Sequence, residues 1–77
     1  MKEEIFITRK EKLKAFLEML LETPDSSEIT TILEILNQYT FDNRLKLKGT
    51  LTRYIIDSSE VDYSIGEKVI EFDTNIR

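Results

Sequence analysis

Apolar residues three and four positions apart recur along most of this chain, and that spacing restricts it to packed amphipathic helices. The clearest run is Leu13, Phe16, Leu17 and Leu20, with Met19 and Leu21 widening the stripe. Its polar face holds Arg9, Lys12, Lys14, Glu18 and Glu22. Ahead of it, Thr8-Arg9-Lys10-Glu11 has the form of a capping box: the Thr8 hydroxyl accepts the Glu11 amide while the Glu11 carboxylate reaches back. Thr23-Pro24 stops the run, because the proline ring disfavours helical geometry in the residue before it. The pattern predicts a helix near 8–22, with the apolar residues of 3–7 left as an arm or a short strand.

A second helix is predicted near 24–40. Pro24 suits a first helical position, and Asp25 with Glu28 offers another capping pair. Ile29, Ile32, Leu33 and Leu36, then Tyr39 or Thr40, share one face. The short connection makes the first two helices an antiparallel hairpin. At the far end Val61, Ile65, Val69, Phe72 and Ile76 form another stripe, and Ser64-Ile65-Gly66-Glu67 again resembles a capping box. That predicts a helix near 62–76.

Residues 43–57 admit two conformations. As a helix, capped by Asp42, they align Leu47, Leu51, Tyr54 and Ile55, with Gly49 costing about 1 kcal/mol relative to alanine. As a strand over 44–52, they alternate Leu45, Leu47, Gly49 and Leu51 with Lys46, Lys48, Thr50 and Thr52. Tyr54-Ile55-Ile56-Asp57 breaks the alternation, which favours the helix. The expected fold is all-α: a small three- or four-helix bundle forming one domain over 1–77, with 44–52 as the segment that could instead be extended.

The chain contains neither histidine nor cysteine. Imidazole proton transfer, thiolate nucleophiles and the usual ligands of zinc and iron–sulfur centres are therefore missing. Two isolated glycines, Gly49 and Gly66, cannot write a phosphate-cradling loop. Glu67 and Glu71 are one helical turn apart and could hold a hard cation, but the same spacing more often gives two solvated carboxylates. Asp57-Ser58-Ser59-Glu60-Val61-Asp62 departs from a calcium loop at its third, fifth, sixth and twelfth positions. No catalytic residue, cofactor or metal is expected.

Charge is blocky. Residues 15–43 carry six acids and no base, whereas 44–56 carry Arg44, Lys46, Lys48 and Arg53 and no acid. Such blocks either pair across a bundle or form a recognition face. The candidate interaction surface joins Arg44, Lys46, Lys48 and Arg53 to the aromatic residues Tyr39, Phe41 and Tyr63 near the segment ends. The expected function, reached by exclusion, is a non-enzymatic protein–protein interaction module: a small intracellular adaptor, regulator or inhibitor, with self-association as an option. The alternative is a helix-turn-helix-like DNA-binding regulator using 44–56. The net charge of −4 and the acidic second helix count against nucleic acid. No run approaches the roughly 18 apolar residues needed to cross a bilayer, and the absence of cysteine suits a reducing interior, so the expected location is cytoplasmic.

Overall fold

The computed structural model describes residues 1–22, 26–58 and 60–77, and every regular element among them is helical. Helix α1 (Glu3–Met19) passes into one 3-10 turn (Leu20–Glu22) and is followed by α2 (Ser26–Gln38). A single turn, α3 (Arg44–Leu47), then precedes α4 (Thr50–Asp57) and α5 (Tyr63–Thr74). The all-α bundle predicted from the apolar spacing is the fold that forms.

Its boundaries differ from the expectation in ways that have physical causes. Helix α1 begins at Glu3, not near residue 8, so 3–7 is neither an arm nor a strand. Thr8 and Glu11 are exposed inside the helix and cap nothing. Phe6 is the reason: it is buried and continues the Leu13–Leu17 stripe two turns upstream. Lys10 hides that continuity in the sequence. It occupies an inward-leaning position because its ammonium reaches the Tyr39 carbonyl at 2.6 Å. Burial, and secondarily the neighbouring Lys14, lowers the Lys10 pKa.

Helix α2 ends at Gln38, so Tyr39 and Thr40 lie beyond it. The Pro24 and Asp25 start signals fall outside the described residues. Glu28, expected as a capping partner, has Oε2 accepting the Glu60 amide at 3.0 Å, which ties the start of α2 to the loop before α5. Thr40 and Asn43 make a reciprocal turn: the Thr40 amide donates to Asn43 Oδ1 at 2.7 Å, and the Asn43 amide to Thr40 Oγ1 at 3.1 Å. Asn43, not Asp42, stands at the N-cap of α3, and its Nδ2 donates back to the Gln38 carbonyl at 2.9 Å. At the far end α5 starts at Tyr63 with Asp62 as N-cap, and the Ser64–Glu67 box is unused.

Neighbouring helices run antiparallel. Lys10 meets Tyr39 and Phe6 meets Phe41, which sets the end of α2 beside the first half of α1. Arg9 reaches Asn75 while Phe16 faces Lys68, so α5 returns along α1. Gly66 lies under Ile55 while Asp73 meets Gly49, so α4 and α5 form a hairpin. All of them enclose one core in which Leu17, Ile29, Ile32, Leu36, Leu51 and Val69 are completely shielded. Phe6, Tyr39 and Phe72 join it as a cluster of rings about 6 Å apart, with centroid distances of 6.0 Å for Phe6–Phe72 and for Tyr39–Phe72.

The ambiguous segment 44–52 is neither one helix nor a strand. It breaks at Lys48-Gly49, where Gly49 adopts φ +97°, a conformation that disfavours any side chain. Gly49 is also the N-cap of α4 and has no side chain to cap with. The cap comes from another helix. Asp73 of α5 is buried, and its carboxylate accepts the Gly49 amide at 2.9 and 3.0 Å, the Thr52 amide at 3.1 Å and the Thr52 hydroxyl at 2.5 Å. A carboxylate at a helix N-terminus meets the positive end of the peptide dipoles, which favours this placement.

Tyr39 completes the arrangement. Its hydroxyl lies 2.7 Å from Asp73 Oδ1 and 2.8 Å from the Leu47 carbonyl, and it accepts the Leu51 amide at 3.2 Å. A phenol has one hydrogen, so Asp73 and Leu47 share it in turn. Burial first, and the Asp73 carboxylate second, hold the Tyr39 phenol far above its ordinary value of 10.0. In the unfolded chain the phenol loses its proton from about pH 10, whereas the folded chain keeps it, so this contribution to stability declines as pH rises above 10. Tyr39→Phe should therefore flatten the alkaline limb of unfolding free energy against pH, measured by urea titration monitored by circular dichroism. Identical limbs in the two proteins would refute the assignment.

Candidate interaction surface

The residues proposed from sequence do not assemble into one face. Tyr39 is fully buried, so it belongs to the core and leaves the surface set. Phe41 is half-buried, with its ring edge-on to Phe6 at 6.2 Å. Arg44 is occupied with folding. Its guanidinium carbon sits 3.9 Å from the centroid of Phe41, Nε donates to the Ile76 carbonyl at 3.0 Å, and Nη1 to the Phe41 carbonyl at 2.5 Å. Arg9 does similar work nearby, donating to the Asn75 carbonyl at 3.0 Å. Two arginines from distant segments thus satisfy carbonyls just past α5, where the dipole favours cations.

Of the remaining candidates, Lys46 and Arg53 are exposed, Lys48 is half-buried and Tyr63 is 80% exposed. Tyr63 opens α5 whereas Arg44 grips the residues beyond its end, so the two lie about 16 Å apart along that helix. The break at Gly49 also splits the single helix expected over 43–57 into α3 and α4.

What the structure does bring together is the outer face of the α4–α5 hairpin. Ile55, Val61 and Ile70 are half-buried there, and together with Tyr63 and Gly66 they line a groove of about 610 Å³. A second hollow of about 370 Å³ continues it toward Lys48, Arg53 and Ile56, with Thr74 shared by both. Ile56 is 69% exposed, so the face carries large apolar side chains that the fold itself does not cover. Gly66 explains the close approach of the two helices. A β-carbon there would stand 3.1 Å from Ile55 Cγ2, which is tighter than ordinary contact.

The rims differ in sign. Lys48 and Arg53 stand on the α4 side, and Glu67 and Glu71 on the α5 side, with Asp57 and Asp62 near the connecting loop. The Glu67–Glu71 pair noted from sequence is thus part of a rim. Among the described residues no group of three or more carboxylates is arranged to hold a metal ion, and no helix is long and apolar enough to cross a membrane. The sequence signal for this face is the pair Ile55-Ile56. Adjacent positions on a helix diverge by about 100°, so one must turn away when the other packs inward. Tyr63, chosen from sequence for its place near a segment end, proves to be its most exposed aromatic.

No family model matches the chain, and neither a curated protein nor a solved structure shows significant similarity to it.

Proposed function

We propose that this chain is a non-enzymatic protein-interaction module, a small cytoplasmic adaptor, regulator or inhibitor, that binds its partner through the α4–α5 hairpin. One observation carries the reading: Tyr63 stands exposed at a groove floored by half-buried Ile55, Val61 and Ile70, and exposed Ile56 lines the hollow that adjoins it. A concave apolar face rimmed by charge is a common form of protein-binding surface. Two antiparallel helices leave between them a seat for a third, read by apolar anchors at helical spacing. The rims specify the occupant further. Basic residues on one side and acidic residues on the other suit an amphipathic helix with acids along one flank and bases along the other.

The test is site-specific photocrosslinking in cells that naturally make the protein. A photoreactive phenylalanine analogue at position 56 or 63 should yield one discrete adduct, and the same group at exposed Glu34 on α2 should yield none. Adding Arg53→Glu should remove the adduct while leaving the melting temperature unchanged. Equal labelling from all three positions, or no adduct from 56 and 63, would reject the hairpin as the contact face. An adduct with a second copy of this chain would identify the partner as the protein itself.

A further inference from the structure

The opposite flank of α5 carries a second cavity with a different character. It lies between α1 and α5, has a volume of about 600 Å³, and is floored by Leu13, Phe16 and Phe72. Its cations are Arg9 and Lys12 from α1 and Lys68 from α5, against the single carboxylate of Glu71. That composition runs counter to the molecule as a whole, whose net charge is −4. Lys68 is the only base within α5, and the fold places it in the same cavity as the two bases of α1. Gathering three like charges around one hollow is unfavourable in the free chain and becomes favourable when an anion sits among them.

We propose that this groove binds a small organic monoanion with an apolar body, a carboxylate or sulfonate carried on an aromatic or short alkyl group. The head would lie at Arg9 and Lys12 and the body along Phe16. Arg9 is already oriented for the task. Its Nη1 is fixed on the Asn75 carbonyl at 3.0 Å, which holds the guanidinium at the groove's end with N–H groups left to receive a carboxylate. Farther along, the Lys68 ammonium is 5.4 Å from the Phe16 ring centroid, so charge and aromatic surface stand together at the other end. From Arg9 to Phe16 is about 10 Å, roughly the length of a fused-ring or short-chain acid. The volume falls within the usual few hundred to about 1,000 Å³ of small-molecule sites. Glu71 at the edge and the acidic surface beyond select a singly charged head over a polyanion such as nucleic acid.

The experiment uses 1-naphthaleneacetate as probe, with uncharged 1-naphthalenemethanol as its match, titrated into isotopically labelled protein and followed by amide chemical shifts. Saturable shifts on α1 and α5 around the groove are expected, with the neutral compound about tenfold weaker or worse. Lys12→Gln/Lys68→Gln changes two exposed side chains, so the fold should persist, and binding should weaken by a similar factor. Glu71→Gln should tighten binding severalfold, a sign that a merely greasy patch would not give. Absence of saturation at low millimolar probe, or equal affinity for acid and alcohol, would overturn the proposal. So would binding only to phosphatidylglycerol vesicles in a sedimentation assay, since that would assign these cations to a lipid surface.

Discussion

Asp73→Ala should cost the protein a large part of its stability at 25 °C. The substitution strips an acceptor from the Gly49 and Thr52 amides, the Thr52 hydroxyl and the Tyr39 phenol, which surround a side chain that is itself 1% exposed. Each buried donor left without a partner costs about 1–3 kcal/mol, and because they share one carboxylate the losses do not add in full. A total of about 3–5 kcal/mol is expected, against a stability of roughly 4–12 kcal/mol for a chain of this length. Asp73→Asn is the sharper test because it preserves shape. Its amide can accept at one atom only and turns an N–H₂ toward donors, so about 2–3 kcal/mol should still be lost. Urea unfolding monitored by circular dichroism reads both. A loss below about 1 kcal/mol for either variant would show that α4 does not depend on this cap.

Phe6→Ala is expected to cost a similar amount, about 3–5 kcal/mol. Phe6 is 1% exposed and touches rings from two other parts of the chain, Phe41 and Phe72. Removing it opens a cavity lined by rigid aromatics that can close only partly. The neighbouring Ile5 and Ile7, each 44% exposed, provide the control: alanine at either should cost under about 1 kcal/mol. Were 3–7 a loosely attached arm, all three substitutions would have similar, small effects on the urea midpoint. Both outcomes can be read from the same set of unfolding curves.

The contrast between these two residues marks how much of the fold was legible in advance. Stripes such as Ile29-Ile32-Leu36 and Ile65-Val69-Phe72 carry their own period, and the helices they predict are present with their inner faces buried. Local signals at the ends were weaker guides. Capping-box patterns at Thr8 and Ser64 match a consensus that the helices bypass, because burial of Phe6 outweighs one capping bond at the first and Asp62 already stands as N-cap at the second. For segment 44–52 the broken alternation at Tyr54-Ile55-Ile56-Asp57 rightly favoured helix over strand, but it gave no sign of the break at Lys48-Gly49. The segment's conformation turns on a bond between Gly49 and a carboxylate 24 residues away, and a period-2 pattern of leucine and lysine contains no trace of that.

The same reasoning applies to the surface. A basic block was visible, but not that Arg44 would be consumed by Phe41 and Ile76 while Arg53 stays exposed. Tyr39, equally plausible at a surface, proved the most completely enclosed aromatic beside Phe6. The groove between α1 and α5 was invisible because it is made from segments far apart in the chain.

That α5 lines both grooves has a consequence for how the molecule is made. Arg9 reaches Asn75 across 66 residues, Tyr39 reaches Asp73 across 34, and Arg44 reaches Ile76 across 32. Until α5 has emerged from the ribosome, Phe6 and Tyr39 lack Phe72, and the Gly49 and Thr52 amides lack the Asp73 carboxylate that accepts them. Nascent chains stalled before residue 63 should accordingly remain open to proteases and dependent on chaperones, with closure arriving in one late step.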